Sequence, residues 1–251
     1  MLLTDGDPDA LFAQAGARAE AGAYDEAEAI YQHLLGRFPQ HPIILAALGN
    51  AQFGGGKASL AITSYRAALA IPHPQPDVWC NLARALRTLG QNGEALTAID
   101  RSLLLDSSLF AAWMCRGNIL WDLERIGEAI TAYGKAAQLN PNDPRAHFNL
   151  ANALRKAKRM KEAVAAYTQA ILLAPDYAEA RLNLALALLE AGSVAEALEA
   201  VDQALAYMPA DYRVHDTRGQ ILHALGRFDE ALSELSRSIE LRPDSAVAYS
   251  N

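Results

Sequence analysis

The sequence predicts an all-α protein built as a solenoid of stacked helix pairs, and three observations predict it. Alanine recurs every 34 residues, at Ala27, Ala61, Ala95, Ala129, Ala163, Ala197 and Ala231. Six of the seven follow a glutamate, and Ala61 follows Leu60. Around them apolar residues return at helical spacing, and glycine and proline punctuate the period at fixed places. A unit of this length cannot bury its apolar face alone, so it stacks on its neighbours. Function is then sought on a surface rather than in a catalytic pocket.

Numbered internally from 1, the repeats run 8–41, 42–75, 76–109, 110–143, 144–177, 178–211 and 212–245. Positions 4, 7, 8 and 11 share one face of a first helix. Position 8 is always small (Ala15, Gly49, Ala83, Gly117, Ala151, Ala185, Gly219), and position 11 is leucine in five repeats (Leu86, Leu120, Leu154, Leu188, Leu222). Position 15 is glycine at Gly22, Gly56, Gly90, Gly192 and Gly226, which suits the left-handed residue that ends a helix. A second helix starts near position 18 and stops before the proline at position 32 (Pro39, Pro141, Pro175, Pro209, Pro243). Its position 24 is large and apolar throughout: Tyr31, Tyr65, Ile99, Tyr133, Tyr167, Val201 and Leu235. Small residues at positions 8 and 20 let the two helices approach closely.

Residues 1–7 read as a short disordered lead. The proline-dense connection 71–76 reads as a stiff turn, since the period survives across it. Residues 246–251 parallel the start of repeat 3 and read as a truncated eighth repeat, so a longer parent protein is expected. An end without a polar cap exposes apolar surface, through which copies could stack into a homo-oligomer.

These residues resemble the tetratricopeptide repeat family, and Trp79 and Trp113 stand at the family's position 4. The resemblance covers 8–245 and implies a right-handed α-solenoid superhelix with a concave groove lined by the first helices. It departs locally: Gln14 and Arg18 replace apolar residues in repeat 1, Glu124 and Lys158 replace the turn glycine, and Asp106-Ser107 stands where repeat 3 would carry its proline.

With 51% apolar and 20% charged residues the composition is that of an ordered, soluble chain. It has no apolar run long enough to span a membrane and no basic-then-apolar leader, so a cytoplasmic location is expected. Cys80 and Cys115 are too few for a disulfide framework and read as reduced thiols. The net charge of −7 is uneven, with repeat 5 at +4 and repeat 6 at −5. A basic band one repeat wide in an acidic protein argues against nucleic acid; it reads either as a solvated helix end or as the place where an acidic ligand lies. The Ala, Leu, Arg and Gly usage is compatible with a GC-rich bacterium.

On the first helix, positions 2, 6, 9 and 13 lie opposite the packed face. Asn50, Asn81, Asn118, Asn149, Asn152 and Asn183 all occupy position 6 or 9. Asparagine is a weak helix former, so its confinement to one face needs a cause. One cause is capture of an extended peptide, because a carboxamide matches the donor and acceptor of a backbone amide. The other is bonding among the asparagines and neighbouring helices. The family resemblance adds the asparagine ladder of O-GlcNAc transferase and the grooves of kinesin light chains as parallels. Met114, Trp121 and Phe148 stand at the edge of this face, either as apolar pockets for a ligand or as packing residues between repeats or molecules, and Arg84, Arg87, Arg145, Arg155 and Lys156 are candidate holders of acidic side chains. The carboxylate clamp of chaperone-binding relatives is incomplete: Met114, Glu179 and Asn183 in one register, and Phe148 and Thr217 in the next, replace its basic residues.

Gly54-Gly55-Gly56-Lys57 is not a phosphate loop, because Ala58 follows the lysine and no strand precedes it. His147 and His215 fill position 4 and read as packing residues, with no second metal ligand at helical spacing. No metal, cofactor or catalytic group is expected. The sequence therefore points to a non-catalytic scaffold binding an extended protein segment. Two alternatives are the recognition arm of a larger glycosyltransferase resembling O-GlcNAc transferase, and a self-assembling structural array.

Overall fold

Fourteen α-helices and no strand make up the described residues, 6–72 and 75–242, of this computed structural model. The chain divides into two units, Met1–Arg125 and Ile126–Asn251. The first holds α1 (Pro8–Glu20), α2 (Tyr24–Arg37), α3 (Pro42–Gly54), α4 (Ala58–Leu69), α5 (Pro76–Thr88), α6 (Asn92–Leu105) and α7 (Phe110–Asp122). The second holds α8 (Ile126–Leu139), α9 (Pro144–Lys156), α10 (Met160–Leu173), α11 (Ala178–Glu190), α12 (Val194–Tyr207), α13 (Tyr212–Ala224) and α14 (Phe228–Leu241). Each second helix begins at position 17, one residue earlier than the glycine spacing suggested. The expected start of an eighth repeat lies outside the described residues, as does most of the expected lead.

Within each unit every helix packs on the next, and the odd-numbered helices also touch one another. Pairs of even-numbered helices make no comparable contact among the described residues. The first helices thus line the inner side of each unit's stack. The recurrent alanine at position 20 is fully buried from Ala27 to Ala197 and nearly so at Ala231, where helix crosses helix. Position 8 is small for the same reason: a Cβ on Gly49 would stand 2.6 Å from the Tyr65 ring, and one on Gly219 2.7 Å from Leu235.

Every first helix ends in the same reverse turn. The N–H of position 16 donates to the carbonyl of position 11, from Ala23 to Arg18 through Arg227 to Leu222, and the residue between is left-handed. Five of these residues are glycines at φ 73 to 84°, but Glu124 and Lys158 are held at φ 58° and 60°. A side chain there costs about 1–2 kcal/mol, partly offset by the extra freedom glycine adds to the unfolded chain. Glu124→Gly and Lys158→Gly are each expected to stabilise the protein by about 0.5–1 kcal/mol, read as a higher urea midpoint at unchanged slope.

In repeats 4 to 7, position 4 ties the repeat to the loop before it. The side chains of Trp113, His147, Arg181 and His215 bond the carbonyls of Ser107, Pro141, Pro175 and Pro209, six residues back, at 2.7 to 3.0 Å. Both position-4 histidines are therefore joints between helix and loop. No cluster of metal-ligating residues occurs among the described residues.

Candidate functional site

The asparagine face is built twice, once in each unit. In the first, Asn50 on α3 points its Oδ1 at two donors: the Tyr65 hydroxyl of α4 at 2.9 Å and Asn81 Nδ2 of α5 at 3.0 Å. In the second, Asn152 on α9 accepts from the Tyr167 hydroxyl of α10 at 2.6 Å and from Asn183 Nδ2 of α11 at 3.2 Å. Both tyrosine rings are buried, and burial holds their phenols above the usual value, Tyr167 at about 12. The hydroxyls therefore keep their protons and act as donors. This fixes the carboxamides: oxygen towards the tyrosine, Nδ2 away from it. The Nδ2 groups of Asn50 and Asn152 and the Oδ1 of Asn183 have no partner among the described residues. Asn81 Oδ1 meets only Arg84, at 3.4 Å. Asn149, half-buried on α9, makes no hydrogen bond within the described chain. Asn118 on α7 has bonded partners.

One carboxamide oxygen per pair is spent inside the protein, as the bonding alternative required.

Several flanking residues are placed differently from the expectation. Arg87 is not a free cation: it pairs with Asp122 on α7 at 2.6 Å. Arg155 pairs likewise with Glu190 on α11 at 2.7 Å, and Lys158 joins that carboxylate at 3.0 Å. Each pair links position 12 of one repeat to position 13 of the next, 35 residues on. The cations next to Glu190 hold its carboxyl below the usual range against the opposing effect of burial. Arg145 closes on Asp143, which also caps α9 by accepting from the Arg145 N–H at 2.9 Å. Arg84 is exposed and lies over the Phe53 ring at 5.4 Å. Lys156 is exposed at the end of α9 and engaged with a neighbour. Phe148 is packed, its ring 4.8 Å from Tyr177 and 6.0 Å from Tyr167, and so forms an aromatic wall beside Asn152 rather than an empty pocket. Met114 and Trp121 are half-buried on α7.

Sequence reasoning missed a buried polar knot in repeats 1 and 2. Glu28 accepts from Gln32 at 3.1 Å, from Gln52 at 3.0 Å and from Lys57 at 2.7 Å, while Gln52 accepts from Ser64 at 2.7 Å. Its signal was Gln52 at position 11, where five repeats carry leucine. Lys57, the lysine of the false phosphate loop, also holds Asp25 at 2.6 Å.

A family model described as the Cilia and flagella-associated protein 70 C-terminal domain, a tetratricopeptide repeat domain, matches residues 4–214, and a tetratricopeptide repeat model matches 188–250. The chain belongs to this tetratricopeptide repeat family. Similar solved folds include a C-terminal part of a tetratricopeptide repeat protein from Cytophaga hutchinsonii (TM-score 0.75, 15% identity, covering 95% of this chain and 98% of that one). Another is a tetratricopeptide repeat protein from Parabacteroides merdae (TM-score 0.68, 19% identity, covering 96% of each chain). A third is YrrB, described as a tetratricopeptide protein with an unusual peptide-binding site (TM-score 0.65, 24% identity, covering 74% of this chain and 95% of that one). No curated protein matches. These likenesses concern the fold and leave the resemblance to O-GlcNAc transferase unsupported. Membership in the family supports a protein-interaction scaffold in general. No described helix is long and apolar enough to cross a membrane.

Proposed function

We propose that the chain binds an extended protein segment along the asparagine faces of its first helices. The observation that carries this reading is the polarity of the two asparagine pairs. Each tyrosine claims an oxygen from below and leaves Nδ2 donors and carboxamide acceptors facing out, which suits the C=O and N–H of a peptide backbone. The helix stacks hold these groups before any ligand arrives, so little ordering entropy opposes binding. Side-chain selectivity would come from the Phe148–Tyr177 wall and from arginines that exchange Asp122 or Glu190 for a ligand carboxylate.

The test uses dodecapeptides selected on the full chain from a random display library. Each amide bond to backbone nets about 0.5–1.5 kcal/mol. The triple variant Asn149→Ala, Asn152→Ala, Asn183→Ala is therefore expected to weaken the selected peptides at least about tenfold by calorimetry. Undiminished affinity in a variant with wild-type helicity would sink the reading.

A further inference from the structure

We propose that a cavity on the side of α5 away from Asn81 binds a small amphiphilic anion: an aromatic or branched apolar body carrying one carboxylate or sulfonate. The cavity is an open cleft of about 400 Å³ between α4, α5 and α6, within the range of small-molecule sites. Its wall is mainly apolar, from Leu69, Ala70, the Trp79 indole, Leu82, Leu86 and Ala98, with Thr97 beside them. Trp79 and Asn81 are two residues apart on one helix, about 200° around its axis, so this site and the asparagine face look in opposite directions. Ala70, exposed at position 29 of its repeat, stands at the rim of this space, so a larger side chain there would overhang it.

The mouth supplies the charge preference. Arg66 and Glu94 stand across it in an ion pair of 2.7 Å, with 56% and 59% of their side chains exposed. Only one guanidinium nitrogen of Arg66 is engaged, so its Nε and Nη1 have no partner among the described residues. An anionic head can therefore take Arg66 without first emptying the site, while Glu94 competes with it. The apolar body meanwhile covers the indole and leucine side chains.

The probe is 8-anilinonaphthalene-1-sulfonate, with uncharged N-phenyl-1-naphthylamine as control, added to the full chain while dye emission and tryptophan quenching are read. The sulfonate is expected to bind once and to quench tryptophan. Ala70→Leu, which copies the residue of repeats 3 and 5, is expected to weaken both dyes at least about tenfold, the scale of losing an apolar side chain's worth of contact. Arg66→Gln is expected to weaken the sulfonate about threefold to fivefold and Glu94→Gln to tighten it by a similar factor, with the neutral dye unmoved, because both groups are solvent-screened. Dye binding that ignores Ala70→Leu overturns the site. Equal behaviour of the two dyes in Arg66→Gln and Glu94→Gln overturns the anion preference. Neither surface variant touches the core, so both stay interpretable if Ala70→Leu perturbs packing.

Discussion

Tyr167→Ala is expected to destabilise the protein by about 3–5 kcal/mol, the range for emptying an aromatic site in a packed core. The Tyr167 ring is fully buried, meets Phe148 edge-on at 6.0 Å, and packs among Ala151, Leu154 and Ala163. Its loss opens a cavity between α9 and α10, which rigid helix pairs cannot close. Tyr167→Phe keeps the ring and deletes the hydroxyl with its bond to Asn152, so it is expected to cost about 1 kcal/mol. The pair of variants separates two roles. Both should loosen the carboxamide of Asn152 and weaken peptide binding, but only the alanine should shift the urea midpoint strongly. A shift below about 1 kcal/mol for Tyr167→Ala would contradict the packing described.

Glu28→Ala is expected to cost about 2–3 kcal/mol, because it strands the buried Gln52 donor and leaves Lys57 with Asp25 alone. The same knot makes the N-terminal repeats sensitive to acid. The Lys57 ammonium and the Gln52 amide hold the Glu28 carboxyl below its ordinary 4.5. A depressed carboxylate contributes stability that is complete above the unfolded value and is lost as pH falls through the folded one. Stability should therefore drop from about pH 5 downward, and less steeply in Glu28→Gln than in the wild type. Parallel acid profiles for the two proteins would remove Glu28 as the cause.

Helix boundaries were legible because they rest on local chemistry repeated every 34 residues. A left-handed stop at position 15 is so strongly set by its neighbours that Glu124 and Lys158 obey it without being glycine. The face that carries the asparagines was legible for the same reason, since helical phase alone sorts positions 6 and 9 from 4, 7 and 11. Partnerships across helices were not. That Tyr65 and Tyr167 reach the asparagine oxygens depends on an interhelical distance with no periodic trace. Arg87 and Arg155 looked free because their acids lie 35 residues away, one full repeat and a step. Pocket and packing could not be told apart for Phe148, because its partner Tyr177 sits in the loop after the second helix. The cleft beside Trp79 left no mark because it depends on how α4, α5 and α6 are spaced.

The most direct test of peptide capture on the asparagine face is the side-chain amide spectrum of the ¹⁵N-labelled full chain during titration with a selected dodecapeptide. Asn149 is the reporter, because its carboxamide makes no hydrogen bond among the described residues. The account expects the Nδ2 signals of Asn149 and Asn152 to move in a saturable way and together. Peptide binding that leaves both signals in place, while resonances of the second helices shift, would place the ligand elsewhere and contradict the account.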